Sequence, residues 1–259
     1  MSELRSHMSD YRKAWSSAVG YYSTHRNSRK DIYESEKYFL SKILKPGMSI
    51  LDVGCAAGGF YSILKEMMPD ISYMGIDVSE EMIFEAKRKH PGVRFERMRA
   101  DKLSIHENFD IIFCSGVLHL DMNWREIIKE CWCKTKKYFL FDVRLVQEAG
   151  IEDMNISFQK LALEGSWDGR SIFPYIILNA EDFLNFLLKL EPVPERLMAY
   201  GYFHPVANTV STLYKDVCMT MFCLGKKKEN RKEPIQWEVP ILIKEIYSLK
   251  FNKKDEEIL

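Results

Sequence analysis

Apolar and polar positions trade places along this chain in two periods, one suited to strands and one to helices, and their order predicts the architecture. Ser49 to Val53 is a short apolar run that ends in a glycine-rich turn, Gly54 to Gly59. Phe60 to Met67 then has helical spacing and stops before Pro69. A second run, Ser72 to Asp77, leads to Ser79 as a helix N-cap, with Glu80 and Glu81 in the first turn where the helix dipole favours acids. That helix is predicted to end near His90, ahead of Pro91 and Gly92. Val93 to Met98 reads as a third, weaker strand, Phe109 to Ser115 as a fourth, Trp124 to Cys133 as a helix and Tyr138 to Val143 as a fifth strand.

Strands alternating with helices at this spacing imply parallel βαβ units with right-handed crossovers. The alternation lapses from Val146 to Asn179, a stretch with Trp167-Asp168-Gly169 and Pro174 that reads as an insertion. Asn179 then caps an amphipathic helix, Ala180 to Leu190, and Arg196 to Gly201 and Val217 to Leu224 read as two last strands joined as a hairpin. The expected fold is α/β: a Rossmann-like, doubly wound, seven-stranded, mostly parallel sheet with a C-terminal antiparallel hairpin. Three zones follow. Residues 1–44 form an N-terminal helical segment, 45–225 the main domain with its insertion at about 146–179, and 226–259 a solvated basic linker and a tail expected to be a short outer helix.

Composition narrows the function. At 259 residues and 46% hydrophobic, the chain suits one α/β domain with extras. Lys plus Arg equals Asp plus Glu at 37 each, so no overall field favours nucleic acid or an anionic membrane. The N-terminus lacks the apolar core of a signal peptide, and no run is long enough to span a membrane. The six cysteines, Cys55, Cys114, Cys131, Cys133, Cys218 and Cys223, lie mostly inside apolar runs, which fits reduced thiols in the cytoplasm. Cys131 and Cys133 form a C-x-C pair on a helix, which points them to different faces, so no metal site is expected.

The chemistry is concentrated in Leu51 to Phe60, LDVGCAAGGF. A strand that passes through a glycine-rich turn into a helix lets backbone N–H groups approach a ligand closely. Asp77, at the end of the next strand, is placed to accept hydrogen bonds from both hydroxyls of an unmodified ribose. These features alone indicate an adenosine-type cofactor, against a tight turn that binds nothing. The charge around the turn discriminates further. Asp52 precedes the first glycine, and Ala56 stands where a dinucleotide turn has its second glycine. An acid there suits a ligand with an ammonium and a sulfonium group and repels a pyrophosphate.

At these residues the chain resembles class I S-adenosylmethionine (SAM) dependent methyltransferases, in their small-molecule (type 11/12-like) branch. Leu51 to Cys55 with Gly58 and Gly59 is similar to the first family motif, Tyr73 to Ser79 to the second strand motif, and Ala100-Asp101 to the acidic position that receives the adenine amino group. Phe109 to His119 resembles the fourth strand and its exit. The resemblance spans Lys45 to Arg144 well and Asn179 to Lys226 in outline. It implies SAM as cofactor, S-adenosylhomocysteine (SAH) as product, and transfer of a methyl group to an O, N or C nucleophile of a small organic acceptor. The cofactor-binding residues it implies are Asp52, Gly54, Cys55, Ala56, Gly58, Asp77, Val78, Asp101, Ser115 and Gly116.

His119 is the candidate catalytic residue, as general base or as a positioning group, although Leu120 stands where many members carry a second histidine. Arg144 and His204 are candidate substrate contacts, with a surface ion pair as the plain alternative for Arg144. In the family, N-terminal segments often fold over the cofactor as a lid. Here the aromatics Tyr11, Trp15, Tyr21, Tyr22, Tyr33 and Tyr38 occupy that segment, and Tyr21 and Tyr22 are chosen as contacts. The Asn/Asp-Pro-Pro-aromatic run of amino-methylating DNA and glutamine enzymes is missing after strand four, as is the Pro-Cys nucleophile of cytosine C5 enzymes, so no nucleic-acid partner is expected. The competing readings are a non-catalytic SAM-binding or scaffold protein and a nucleotide-dependent oxidoreductase.

Overall fold

The computed structural model describes residues 18–163, 166–226 and 235–241. Tyr11, Trp15, most of the basic linker and the end of the tail lie outside the described residues. The chain enters through α1 (Val19–Thr24), a 3-10 turn at Arg29–Asp31 and α2 (Glu34–Ile43). The predicted alternation follows: β1 (Met48–Val53), α3 (Gly59–Met67), β2 (Ile71–Asp77), α4 (Glu80–Lys89), β3 (Arg94–Arg97), β4 (Phe109–Cys114), α5 (Trp124–Lys134) and β5 (Thr135–Val146). Both predicted caps form. Ser79 Oγ accepts from the Met82 N–H at 3.2 Å. Asn179 Oδ1 accepts from the Asp182 N–H at 2.9 Å and so starts α6 (Ala180–Leu187).

The insertion is a hairpin of β6 (Phe158–Leu163) and β7 (Ser166–Pro174), which returns to the main sheet through the two-residue β8 (Leu178–Asn179). Beyond α6 come β9 (Arg196–Pro205), β10 (Val210–Ser211), β11 (Asp216–Gly225) and β12 (Ile235–Glu238). The main sheet runs β12-β9-β11-β5-β4-β1-β2-β3, with β8 paired to the end of β5. Strands β3, β2, β1, β4 and β5 are parallel, and β11 runs antiparallel to both β5 and β9. The seven expected strands and their C-terminal hairpin are thus present, with β8 and β12 added. β10, β6 and β7 form a separate antiparallel sheet.

Side-chain alternation along the strands builds two apolar layers. Leu51, Val53 and Ile112 face α5 and α6, where Trp124, Ile128, Phe183 and Leu187 pack. Ile50, Ile111 and Phe113 face α2, α3 and α4, through Phe39, Ile63, Leu64 and Ala86. Helices on both faces leave the carboxyl ends of the parallel strands as the open edge, where ligands bind in such sheets.

The tail differs from expectation at its start. Residues Ile235–Glu238 form a strand parallel to β9 rather than a helix. The reason is period two. Ile235 and Trp237 pack on the core, while Gln236 and Glu238 bond the Tyr38 hydroxyl of α2, at 3.2 and 2.5 Å. Among the described residues no helix is long and apolar enough to cross a membrane.

Candidate active site

The glycine-rich turn leaves β1 at Gly54, whose φ of +77° is a left-handed conformation that a side chain disfavours. The Gly54 and Cys55 N–H groups donate to the Ile76 carbonyl at 2.8 and 3.0 Å, tying the turn to the end of β2. Ala56 also has positive φ, +45°, and its N–H donates to Asp77 Oδ2 at 3.0 Å. The other oxygen of Asp77 accepts from the Ser79 N–H at 2.9 Å. One carboxylate therefore joins the turn after β1 to the turn after β2. Burial pushes the Asp77 carboxyl above its ordinary range against the pull of these amides.

Gly58 is predicted as a cofactor contact, but it does not line the cavity. A Cβ there would stand 3.0 Å from both His90 and Phe95, so its space is taken by the end of α4 and by β3. It lets α3 start close to its neighbours.

Asp52 is 3% exposed and accepts from the Tyr73 hydroxyl at 2.6 Å. Burial raises its carboxyl to about 7, with the Tyr73 bond and the Arg26 charge pulling the other way. Beside it lies a second buried acid, Glu36 of α2, which is fully enclosed. Glu36 accepts from Arg26 Nη2 at 2.6 Å, from Ser115 Oγ at 2.8 Å and from the Tyr33 N–H at 3.0 Å. The Arg26 guanidinium lies over the Tyr33 and Phe60 rings, 4.6 and 5.2 Å from their centroids. The backbone here also touches the turn: a Cβ on Gly59 would meet the Arg26 carbonyl at 2.6 Å. The segment before β1 is thus seated on the glycine-rich turn.

A third cluster stands at the exits of β4 and β5. Asp142 accepts from the Gly116 N–H at 2.6 Å and from Arg144 Nη1 at 2.5 Å, and Arg144 Nη2 approaches His119 Nε2 at 3.4 Å. Arg144 is 7% exposed, so its ion pair is buried rather than superficial. His119, on the 3-10 turn Leu118–Leu120, is equally buried. Burial, and after it the Arg144 charge, pushes the imidazole down to about 3, with Asp142 opposing.

The three clusters border one cavity of about 410 Å³. Its wall includes Tyr21 and Tyr22 of α1; Asp52, Gly54, Cys55 and Ala56 at the first turn; Asp77, Val78 and Asp101; Ser115, Gly116 and His119 after β4; and Arg144. His204 is elsewhere. It sits at the exposed end of β9, two strands across from β5, and its Nδ1 donates to the Pro205 carbonyl at 2.6 Å. Asp101 is held by Arg99 and by Asn123 Nδ2 at 2.9 Å, and the arginine keeps its carboxyl below the usual range. Arg26, Arg99 and Arg144 are each paired with an acid, whereas neither Asp52 nor Asp77 has an ion-pair partner among the described residues. The turn side of the cavity therefore favours a cation.

Residues 50–137 match the methyltransferase domain family. The match supports a class I SAM-dependent methyltransferase domain in this part of the chain. Among similar proteins, the ribosomal protein L11 methyltransferase of Aquifex aeolicus is 29% identical over 39% of this chain and 41% of its own length. The trans-aconitate 2-methyltransferase of Methylobacterium nodulans is 33% identical over 27% of each chain. The chain thus spans less than half the length of these curated relatives. The N-terminal domain of EvdMO1, solved with SAH bound, shares the fold at a TM-score of 0.53 and 14% identity, covering 74% of this chain and 79% of that one.

The methyltransferase match holds both acidic strand ends and the histidine, but α1, α2, Asp142 and Arg144 lie outside it. Sequence reasoning missed Arg26, Glu36 and Asp142. A signal for Glu36 was present: it shares the helical stripe of Phe39, Leu40 and Ile43, so an acid had to enter the core of the methyltransferase domain. Nothing local marks Arg26 as its partner.

Proposed function

We propose that the protein is a SAM-dependent methyltransferase that methylates an O, N or C nucleophile of a small organic acceptor and releases SAH. One observation carries this reading: the buried Asp52 and the half-buried Asp77 flank a glycine-rich turn on the wall of a cavity able to hold a nucleoside-sized ligand. The residues fit SAM. Asp77 would hold the ribose hydroxyls and Asp52 the ammonium of the methionine moiety, while Gly54 to Ala56 and Ser115 to Gly116 bring main chain to its edge. Val78 and Asp101 border the adenine end, where Asp101 would act from its fixed place against Arg99.

Bound SAM supplies a methyl group already activated by its sulfonium. The protein's own task is to hold the acceptor in line and exclude water, and such positioning reaches effective molarities of roughly 10⁵ M or more. In this reading residues 1–44 act as a lid, with Tyr21 and Tyr22 over the reactive centre. Residues 45–225 form the cofactor domain, its insertion at 146–179 walls the acceptor side, and 226–259 is linker and tail. Free cysteines fit a cytoplasmic setting. The two relatives above are named for different acceptors, a ribosomal protein and trans-aconitate; the cavity favours an acceptor of small-molecule size.

Calorimetry with SAM, SAH, NAD and FAD side by side tests the reading. SAM and SAH should bind and the dinucleotides should not. Asp77→Asn should weaken SAM by about 1.5–3 kcal/mol, tenfold or more, through loss of a charge-assisted contact. Preference for a dinucleotide, or unchanged SAM affinity in a folded Asp77→Asn, would sink it.

A further inference from the structure

We propose that Gln159 reads the methyl acceptor. Its carboxamide donates one hydrogen bond to, and accepts one from, an uncharged edge of an acceptor held between the insertion hairpin and the main sheet. The inference rests on the methyltransferase reading and adds to it the chemistry of the acceptor. Gln159 lies on β6, the middle strand of the separate sheet, with β10 on one side and β7 on the other. Its backbone is spent between those neighbours, so what it presents to the cavity it borders is the side chain.

Cross-strand pairing fixes the way that side chain faces. Phe173 and Val210 stand abreast of Gln159 and share its face of the sheet. Val210 packs on Val146 and Val217 of the main sheet, and Phe173 is buried. Leu161, two residues along β6, packs on the cluster of Ala18, Ala57 and Met82 with Tyr22 of α1. This face is therefore turned inward. On the main sheet, Arg144 lies two residues before Val146 and Met219 two residues after Val217, each on the same side as its neighbour, and the two are paired across β5 and β11. Gln159, Arg144 and Met219 all border the cavity, and β4 separates their side of it from the turn after β1.

Gln159 is thus a polar group in a row of apolar ones. Its amide has no partner among the described residues, and neither its nitrogen nor its oxygen is sealed, so both stay open to a ligand. A primary carboxamide carries an N–H donor and a carbonyl acceptor side by side, without charge. The matching edge is a hydroxyl beside a carbonyl, or a second amide. Charge points the same way. Arg144 is spent on Asp142, so a carboxylate here would give up its water against one amide donor and the Asp142 charge. Met219 supplies adjoining apolar surface for the body of the acceptor.

Transfer of labelled methyl from SAM by the full chain tests the proposal. The panel holds aromatic compounds with a hydroxyl beside a carbonyl or carboxamide, phenols with a hydroxyl alone, and aromatic carboxylic acids. The first group should be preferred. Gln159→Leu should raise KM for that group by about tenfold and change kcat little, while KM for the plain phenols moves by less than about threefold. Gln159→Glu, of the same size but without the amide donor, should lose as much on the first group. SAH affinity should be equal in all three proteins, which also shows that the variants fold. An equal rise for both groups, a preference for the carboxylic acids, or SAH affinity lost in both variants would overturn the proposal. A second readout needs no turnover. With SAH bound, the nitrogen-15 signal of the Gln159 amide, assigned by difference from Gln159→Leu, should shift when a hydroxyl–carbonyl compound is added. No shift together with no turnover also overturns the proposal. Loss of the methyltransferase reading has its own signature, a protein that binds neither SAM nor SAH.

Discussion

Asp52 shows how burial turns a carboxylate into a group that titrates near neutrality. Its carboxyl is raised to about 7, so the folded protein keeps a proton that the unfolded chain sheds near pH ~4. The folded state then binds more protons than the unfolded one across that window, and stability of the free protein falls as pH rises through it. Cofactor binding has the opposite sense. A ligand ammonium beside Asp52 favours the ionised acid, so SAM affinity should strengthen between about pH 6 and about pH 8, with a proton released on binding. The Tyr73 hydroxyl and Arg26 assist that ionisation, and Asp77 and Glu36 oppose it. Calorimetry in two buffers of different ionisation heat measures the proton; Asp52→Asn should bind more weakly and without pH dependence. Gly54 is constrained more simply. A Cβ there would lie 2.3 Å from Val117 Cγ2 in a backbone already at positive φ. Gly54→Ala should cost about 1–3 kcal/mol in urea unfolding and weaken SAM binding, and adding Val117→Ala should recover the steric part, leaving about 1 kcal/mol for the backbone. An equal loss in both variants would show that the clash is not the cause.

Between elements, the most consequential contact is the one α2 makes with the loop before it and with the exit of β4. Glu36 is sealed in the core and answers to Arg26, Ser115 and the Tyr33 amide. Breaking a buried pair from one side costs about 3–5 kcal/mol; Arg26 keeps 27% of its side chain exposed, so Arg26→Ala should cost about 2–3 kcal/mol. The same change unseats the segment that crosses Gly59, so trypsin should cut at Arg29 or Lys30 faster than in the native chain. Glu36→Gln added to Arg26→Ala removes the stranded charge and should return most of the stability but not the protection. If the two return together, the pair serves folding alone and the lid role of this segment falls. On its outer side α2 is held by the C-terminal strand, through Tyr38 to Gln236 and Glu238, so both ends of the described chain converge on this helix.

Across the protein as a whole, charge is balanced at 37 against 37, while Asp52 and Asp77, which have no ion-pair partner among the described residues, line one cavity. A cation-favouring cavity in a chain of balanced overall charge is suited to SAM and unsuited to polyanions. Filter binding with DNA and RNA at about 150 mM salt should therefore show no nanomolar affinity. Nanomolar affinity there would replace the small acceptor with a nucleic acid.

The parts of this protein visible in one dimension are those whose cause is local. Alternating apolar positions placed β1, β2, β4 and β5, and side-chain caps at Ser79 and Asn179 placed α4 and α6, because burial period and cap geometry are properties of a few adjacent residues. Asp77 could be assigned to the cavity for the same reason, since a strand of known direction carries its last residue to the carboxyl edge. The rest depended on what lies across the space. Ile235 to Glu238 became a strand because β9 offered an unpaired edge and α2 offered Tyr38, 200 residues away in sequence. Gly58 was taken by His90 and Phe95, and His204 left the site because β11 stands between β9 and β5. Arg144, a plausible anion clamp as a residue type, was neutralised by Asp142 and came to face a histidine that sequence alone would allow as a base. A side chain's charge and hydrogen-bonding role are set by its nearest neighbours in the folded core, and that neighbourhood is assembled by packing, after the local pattern has done its part.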